Sequence, residues 1–284
     1  MRDKSNETCP DATKFIENGN RFISEGNVSK ALKNYKKALK MELKAFGDMH
    51  PAVAMSYYNI GYAYDIGGYY EKAYESYRRA MDIQLKLSGE AHPDVAKLYF
   101  NIGGIHGAQG DLNRAMDCYN KALEIQLNLY REAHPDVAST YTNMGGVYEV
   151  RGDFSKALEF LNKSVDIQVE LFGERHPDVA LTYRYLAYLH GSKGDAFKAL
   201  DYLKKALHIQ IDHYTESYHE VANTYHLIGD LHESQNNFED ALSNFEKEWY
   251  IWLDIGGKKH PMAFAAEERC YLIREEMKGR SGNT

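Results

Sequence analysis

Hydrophobic positions along this chain recur with helical spacing inside a longer cycle. An aromatic opens each cycle at Phe15, Tyr57, Tyr99, Tyr141, Tyr183 and Tyr225. Four residues on stands a small residue: Gly19, Gly61, Gly103, Gly145, Ala187 and Gly229. Three further comes a ring: Phe22, Tyr64, His106, Tyr148, His190 and His232. A break follows at Gly26, Gly68, Gly110, Gly152, Gly194 and Asn236. Then an alanine recurs (Ala31, Ala73, Ala115, Ala157, Ala199, Ala241), with Tyr35, Tyr77, Tyr119, Leu161, Leu203 and Phe245 four residues later. Spacings of three, four and seven place these residues on one helical face. Glycine just past the last periodic residue ends the first helix. Each cycle therefore predicts two antiparallel helices, A and B. The small columns let the backbones approach, and the bulky columns fill the gaps.

The cycle is 42 residues long. His-Pro marks it at His50, His92, His134, His176 and His260, and Tyr218-His219 holds the remaining slot in register. A fixed period of this size signals a repeat architecture in which each unit stacks on its neighbours. Proline suits the first position of helix A, where its missing N–H would be unpaired anyway. Asp94, Asp136 and Asp178 follow it, favourable at the positive end of a helix dipole. The histidines lie one repeat apart, too far to share a metal ion, so they read as capping and packing residues.

The columns Tyr57, Gly61, Tyr64, Gly68, Ala73, Tyr77 and Ala80 resemble the tetratricopeptide repeat. That unit is ordinarily about 34 residues long. The longer unit, with Gly-Glu-x-His-Pro-Asp-Val-Ala between repeats, resembles the kinesin light chain type. The resemblance implies a right-handed all-α solenoid. We expect six helix pairs over residues 10–50, 51–92, 93–134, 135–176, 177–218 and 219–260. A capping helix over 261–277 and disordered tails at 1–9 and 278–284 complete the reading. Glu248, Trp249 and Trp252 break the sixth repeat's columns, and the last helix is expected to pack on the tryptophans.

In such solenoids the A helices line a concave groove. The resemblance implies groove positions at Met55, Tyr58, Asn59 and Tyr62, then Lys97, Phe100, Asn101 and Gly104, then Ser139, Thr142, Asn143 and Gly146. Leu181, Arg184, Tyr185 and Tyr188 follow, then Asn223, His226, Leu227 and Asp230. Asn59, Asn101 and Asn143 form a ladder of carboxamides roughly 10 Å apart, each with a donor and an acceptor for an extended peptide backbone. Tyr58, Tyr62, Phe100, Tyr185 and Tyr188 offer aromatic pockets, and Lys97 and Arg184 the cations. The alternative is that each asparagine bonds a neighbouring helix and the tyrosines pack between repeats. A Gln column (Gln84, Gln126, Gln168, Gln210) lies on helix B, away from the groove. The clamp by which some tetratricopeptide domains hold a chaperone's C-terminal carboxylate is half matched. Asn20, Asn59 and Lys97 fit it, but Ile16 and Asn101 stand where it has Lys and Arg. Kinesin light chains read acidic peptides, which Glu17, Asp65, Glu149 and Asp230 oppose. Their heptad coiled coil is absent from this sequence.

Composition narrows the classes further. A net charge of −7 with mixed signs argues against nucleic acid. Three scattered cysteines suit a reducing compartment, and no apolar run suggests a signal peptide or membrane span. Gly-rich stretches such as 103–110 follow no strand, and no His-Glu-x-x-His is present, so neither catalysis nor a cofactor is expected. The reading is a cytoplasmic, non-enzymatic adaptor that is monomeric or weakly self-associating. It binds a protein or peptide, without nucleic acid, membrane or metal. The alternative is an assembly module that joins a larger complex through its convex face or ends.

Overall fold

The computed structural model describes residues 9–130, 132–213 and 218–281. Thirteen helices and no strands occur among them. The A helices are α1 (Pro10–Ser24), α3 (Pro51–Ile66), α5 (Pro93–Ala108), α7 (Pro135–Val150), α9 (Pro177–Ser192) and α11 (His219–Ser234). The B helices are α2 (Val28–Phe46), α4 (Tyr70–Ser88), α6 (Leu112–Leu129), α8 (Phe154–Phe172), α10 (Ala196–His213) and α12 (Phe238–Gly256). Helix α13 (Pro261–Ser281) closes the sequence. The result is an all-α repeat solenoid. It divides into two compact units, one ending at Val147 and one beginning at Tyr148.

The His-Pro step works as punctuation. His50, His92, His134 and His176 each accept, at Nδ1, the backbone N–H two residues on, at 3.1–3.2 Å. The imidazole thus does what a Ser or Asp oxygen does at an ordinary helix start. Three of these rings also stack on the aromatic four residues earlier: His50 on Phe46, His134 on Tyr130 and His176 on Phe172. The breaks after helix A adopt positive φ at Gly26, Gly68, Gly110, Gly152 and Gly194, and Asn236 takes the same conformation at φ 60°. Asn and Gly are the residues that tolerate it.

Inside each helix pair, the bulky helix-B residue lies against the small helix-A residue. A Cβ on Gly61 would fall 2.7 Å from the Tyr77 ring, one on Gly103 2.7 Å from Tyr119, and one on Gly229 2.5 Å from Phe245. Where helix B carries Leu203, helix A carries Ala187, and the two share one cluster.

The Gln column stitches repeats together. Thr140, Thr182 and Thr224 donate their hydroxyls to Oε1 of Gln126, Gln168 and Gln210 at 2.8–2.9 Å. Those side chains are buried, so the bonds satisfy groups that would otherwise be costly to desolvate. In the first repeat the slot is Glu42, 3% exposed, which accepts from Ser56 at 2.6 Å. Burial pushes its carboxyl pKa up.

The ends depart from expectation in two places. Cys9 is the N-cap of α1 rather than tail, and residues 1–8 lie outside the described residues. The last helix continues four residues past Met277. Arg280 pairs with Glu276 and Asn236 and lies 4.3 Å over the Phe238 ring, so the C-terminal turns have partners. Residues 282–284 lie outside the described ones. Helix α13 packs Ala263 and Ala266 on Trp252, with Trp249 at the margin, and sets Cys270 and Ile273 against Phe245.

Two outcomes follow. Gly103→Ala forces a methyl into the Tyr119 ring and should cost about 1–3 kcal/mol in denaturant unfolding. Adding Tyr119→Leu, which makes the pair resemble Ala187–Leu203, should recover part of that loss despite being destabilising alone. Glu42→Gln should raise Tm at pH 7. A buried carboxyl with a raised folded pKa contributes most below its ordinary value of 4.5 and loses that contribution as pH rises through the folded pKa. The Tm gap between variant and wild type should therefore shrink as pH falls toward 4.5.

Candidate peptide-binding groove

In the first compact unit, the groove positions of α3, α5 and α7 border two adjoining clefts. One, about 180 Å³, is lined by Met55, Tyr58, Gln84, Asp94 and Lys97 among others. The next, about 220 Å³, is lined by Tyr58, Lys97, Phe100, Asn101, Gln126, Asp136 and Ser139. Tyr58 and Lys97 form the wall common to both. Four of the expected site residues are thus brought together. Gln84 and Gln126 also line these clefts, a correction to the placement of their column away from the groove.

The asparagine ladder is not uniform. Asn143 donates Nδ2 to the Ser139 carbonyl at 3.0 Å, one turn back in its own helix. Asn101 keeps Nδ2 buried with no partner among the described residues. Asn59 is half-buried and, with Tyr62 and Asn143, lines none of the clefts described here. The aromatics divide as well. Tyr58 packs on Tyr77 at 5.7 Å between ring centroids and Phe100 on Tyr119 at 5.9 Å, so both contribute to the core. Tyr62 is 43% exposed and Tyr188 55% exposed.

In the second compact unit, Arg184, Tyr185 and Tyr188 line a cleft of about 250 Å³ with Glu149, Leu181 and Leu227. Arg184 Nε is buried without a partner. Burial raises the carboxyl pKa of Glu149.

Sequence reasoning missed a row of helix-B phenols. Because Gly19, Gly61 and Gly103 leave openings, Tyr35, Tyr77 and Tyr119 lie edge-on against helix A. The Tyr35 hydroxyl donates to Asn20 Oδ1, a groove position, at 2.7 Å. The Tyr119 hydroxyl lies 3.8 Å from where a Cβ on Gly104, another groove position, would stand. The Tyr77 hydroxyl is buried and has no partner among the described residues. Asp65 lies close enough to raise the Tyr77 and Tyr119 phenols further, and burial raises its own carboxyl pKa. The signal was present in the coincidence of the Gly and Tyr columns in the first three repeats.

In the sixth repeat two groove positions, His226 and Asp230, are engaged from within. Arg269 of α13 reaches Asp230 at 3.3 Å and Glu233 at 2.6 Å, 5.4 Å over the Phe245 ring. His226 bridges Asp230 and the buried Glu248. That hydrogen bond to Glu248 raises the His226 pKa.

Helix pairs of this length and spacing define a class of helical repeat proteins. Family models described as tetratricopeptide repeat match residues 67–128 and 136–212, residues 16–84, and residues 215–247. The chain belongs to the tetratricopeptide repeat family. No curated protein matches it. Among solved structures it is similar to BtubC (BKLC) from P. vanneervenii, at 19% identity and TM-score 0.66 over 84% of this chain and 92% of that one. A putative kinesin light chain from Podosopora anserina is 21% identical with TM-score 0.59, over 76% and 100% of the two chains. The apo form of RapI is 17% identical with TM-score 0.64, over 95% and 99%. At these identities the likeness is one of fold.

Groove residues that serve the core should separate from those that do not. Tyr58→Ala should lower stability by about 2 kcal/mol, a partial version of a buried aromatic truncation. Tyr188→Ala should stay within about 0.5 kcal/mol of wild type. Chemical denaturation of both variants measures the difference.

Proposed function

We propose that this protein is a non-enzymatic adaptor that holds an extended segment of a partner protein against the A helices of its first compact unit. The observation that carries this reading is Asn101. Its Nδ2 is buried, without a partner among the described residues, and the residue borders a cleft with Tyr58, Lys97 and Phe100. A buried donor left unmade is costly, so it gains most when a ligand carbonyl arrives. Asp136 and Ser139 add an acceptor and a further hydroxyl at the same cleft. The aromatic walls supply contact area at low entropic cost. Family membership supports the same class of function, and none of the described helices is long and apolar enough to cross a membrane. The light-chain-like repeat length is a likeness of architecture. The motor or complex that such a module would serve is not implied by it.

Asn101→Ala tests the reading. It should weaken binding of a groove peptide roughly five- to tenfold, the worth of one hydrogen bond, with no fall in Tm. Fluorescence polarisation with peptides selected from a display library against the whole chain supplies the affinities. Unchanged affinity with unchanged Tm would remove Asn101 from the site.

A further inference from the structure

The 42-residue period places Arg269 of α13 at the same repeat position as Asn101 of α5. By the same register Glu233 corresponds to Asp65, Asp230 to Tyr62, Gly229 to Gly61 and Phe245 to Tyr77. At the end of the solenoid an arginine spans the gap between neighbouring A-type helices. Its guanidinium is held by two carboxylates above an aromatic ring. In the first compact unit the carboxylate and the ring are retained, but the spanning side chain is a short asparagine.

That shortening leaves three groups without partners among the described residues. The Tyr77 side chain is fully buried and its hydroxyl unpaired. Asn101 Nδ2 is likewise unpaired. Asp65 is half-buried and takes part in no ion pair, with burial alone raising its pKa. A carboxylate, a phenol oxygen and aromatic faces together form an acceptor set for a flat cation.

We infer that the Asp65–Tyr77–Asn101 site binds an arginine or lysine side chain of the captured segment, reproducing in trans the seat that Arg269 occupies in cis. Asp65 takes the cation, the Tyr77 oxygen accepts a second N–H, and Asn101 donates to the segment's backbone carbonyl. Tyr62, exposed at the rim, covers the aliphatic stem. The partner segment is accordingly basic at this position, a polarity consistent with a chain of net charge −7. This inference rests on the groove reading above.

The test uses four degenerate peptide libraries of extended, uncharged sequence, identical except for a fixed central Arg, Lys, Gln or Glu. Binding to the full chain is measured by fluorescence polarisation. The Arg library should bind about tenfold more tightly than the Gln library, and the Glu library most weakly. Asp65→Asn should abolish the Arg-over-Gln preference by weakening Arg-library binding to the level of the Gln library. Its Tm should equal or exceed that of wild type, because an unpaired, partly buried carboxylate is removed. Asn101→Ala should weaken all four libraries alike. Binding without charge preference, or a preference that survives Asp65→Asn, overturns the cation site and leaves the groove reading standing. Absence of binding by every library overturns both.

Discussion

The contact on which the fold depends is an aromatic ring pressed onto a glycine. Tyr35, Tyr77, Tyr119 and Phe245 each occupy space that any Cβ on the facing glycine would fill. Close packing makes such a contact sensitive to a single methyl group. It holds helix B against helix A at one register in the first three helix pairs and again in the sixth, while Ala187 and Leu203 make the smaller version in the fifth. The buried Gln–Thr bonds then join one helix pair to the next, and capping histidines fix where α3, α5, α7 and α9 begin.

The same contact shapes the candidate site. A tyrosine lying against a glycine carries a hydroxyl to the groove side of helix A, where leucine or phenylalanine carries none. Tyr35 finds Asn20 there. Tyr77 finds no partner among the described residues. Structure and recognition thus share one residue type, and the phenol row is confined to the first three repeats. In the sixth repeat the chain's own side chains engage one another, Arg269 with Asp230 and Glu233, and His226 with Asp230 and Glu248.

The architecture was legible in sequence because its determinants are local and periodic. The small column of Gly61 and the bulky column of Tyr77 recur every 42 residues, and a His-Pro step announces the start of α3, α5, α7, α9 and α13. The site was legible only by column. Asn59, Asn101 and Asn143 are identical in type and spacing, yet Asn143 bonds back to Ser139 while Asn101 does not. A rotamer choice decides that difference, and periodicity carries no information about it. Gln84 and Gln126 were assigned to the wrong side of the wall for a similar reason: a long side chain on helix B can reach past the neighbouring helix. The last turns of α13 were hidden because Arg280 finds Asn236 and Phe238 44 and 42 residues away in sequence.

The central claim is that Asn101, alone of its ladder, is held ready for a ligand. Side-chain amide NMR on the whole chain reads this directly, by following the Asn101, Asn143 and Asn59 NH₂ resonances as a central-Arg peptide is added. The account predicts a large downfield shift of one Asn101 amide proton with Asn143 unmoved. Shifts confined to residues outside α3, α5 and α7, with Asn101 unchanged at saturation, would contradict it.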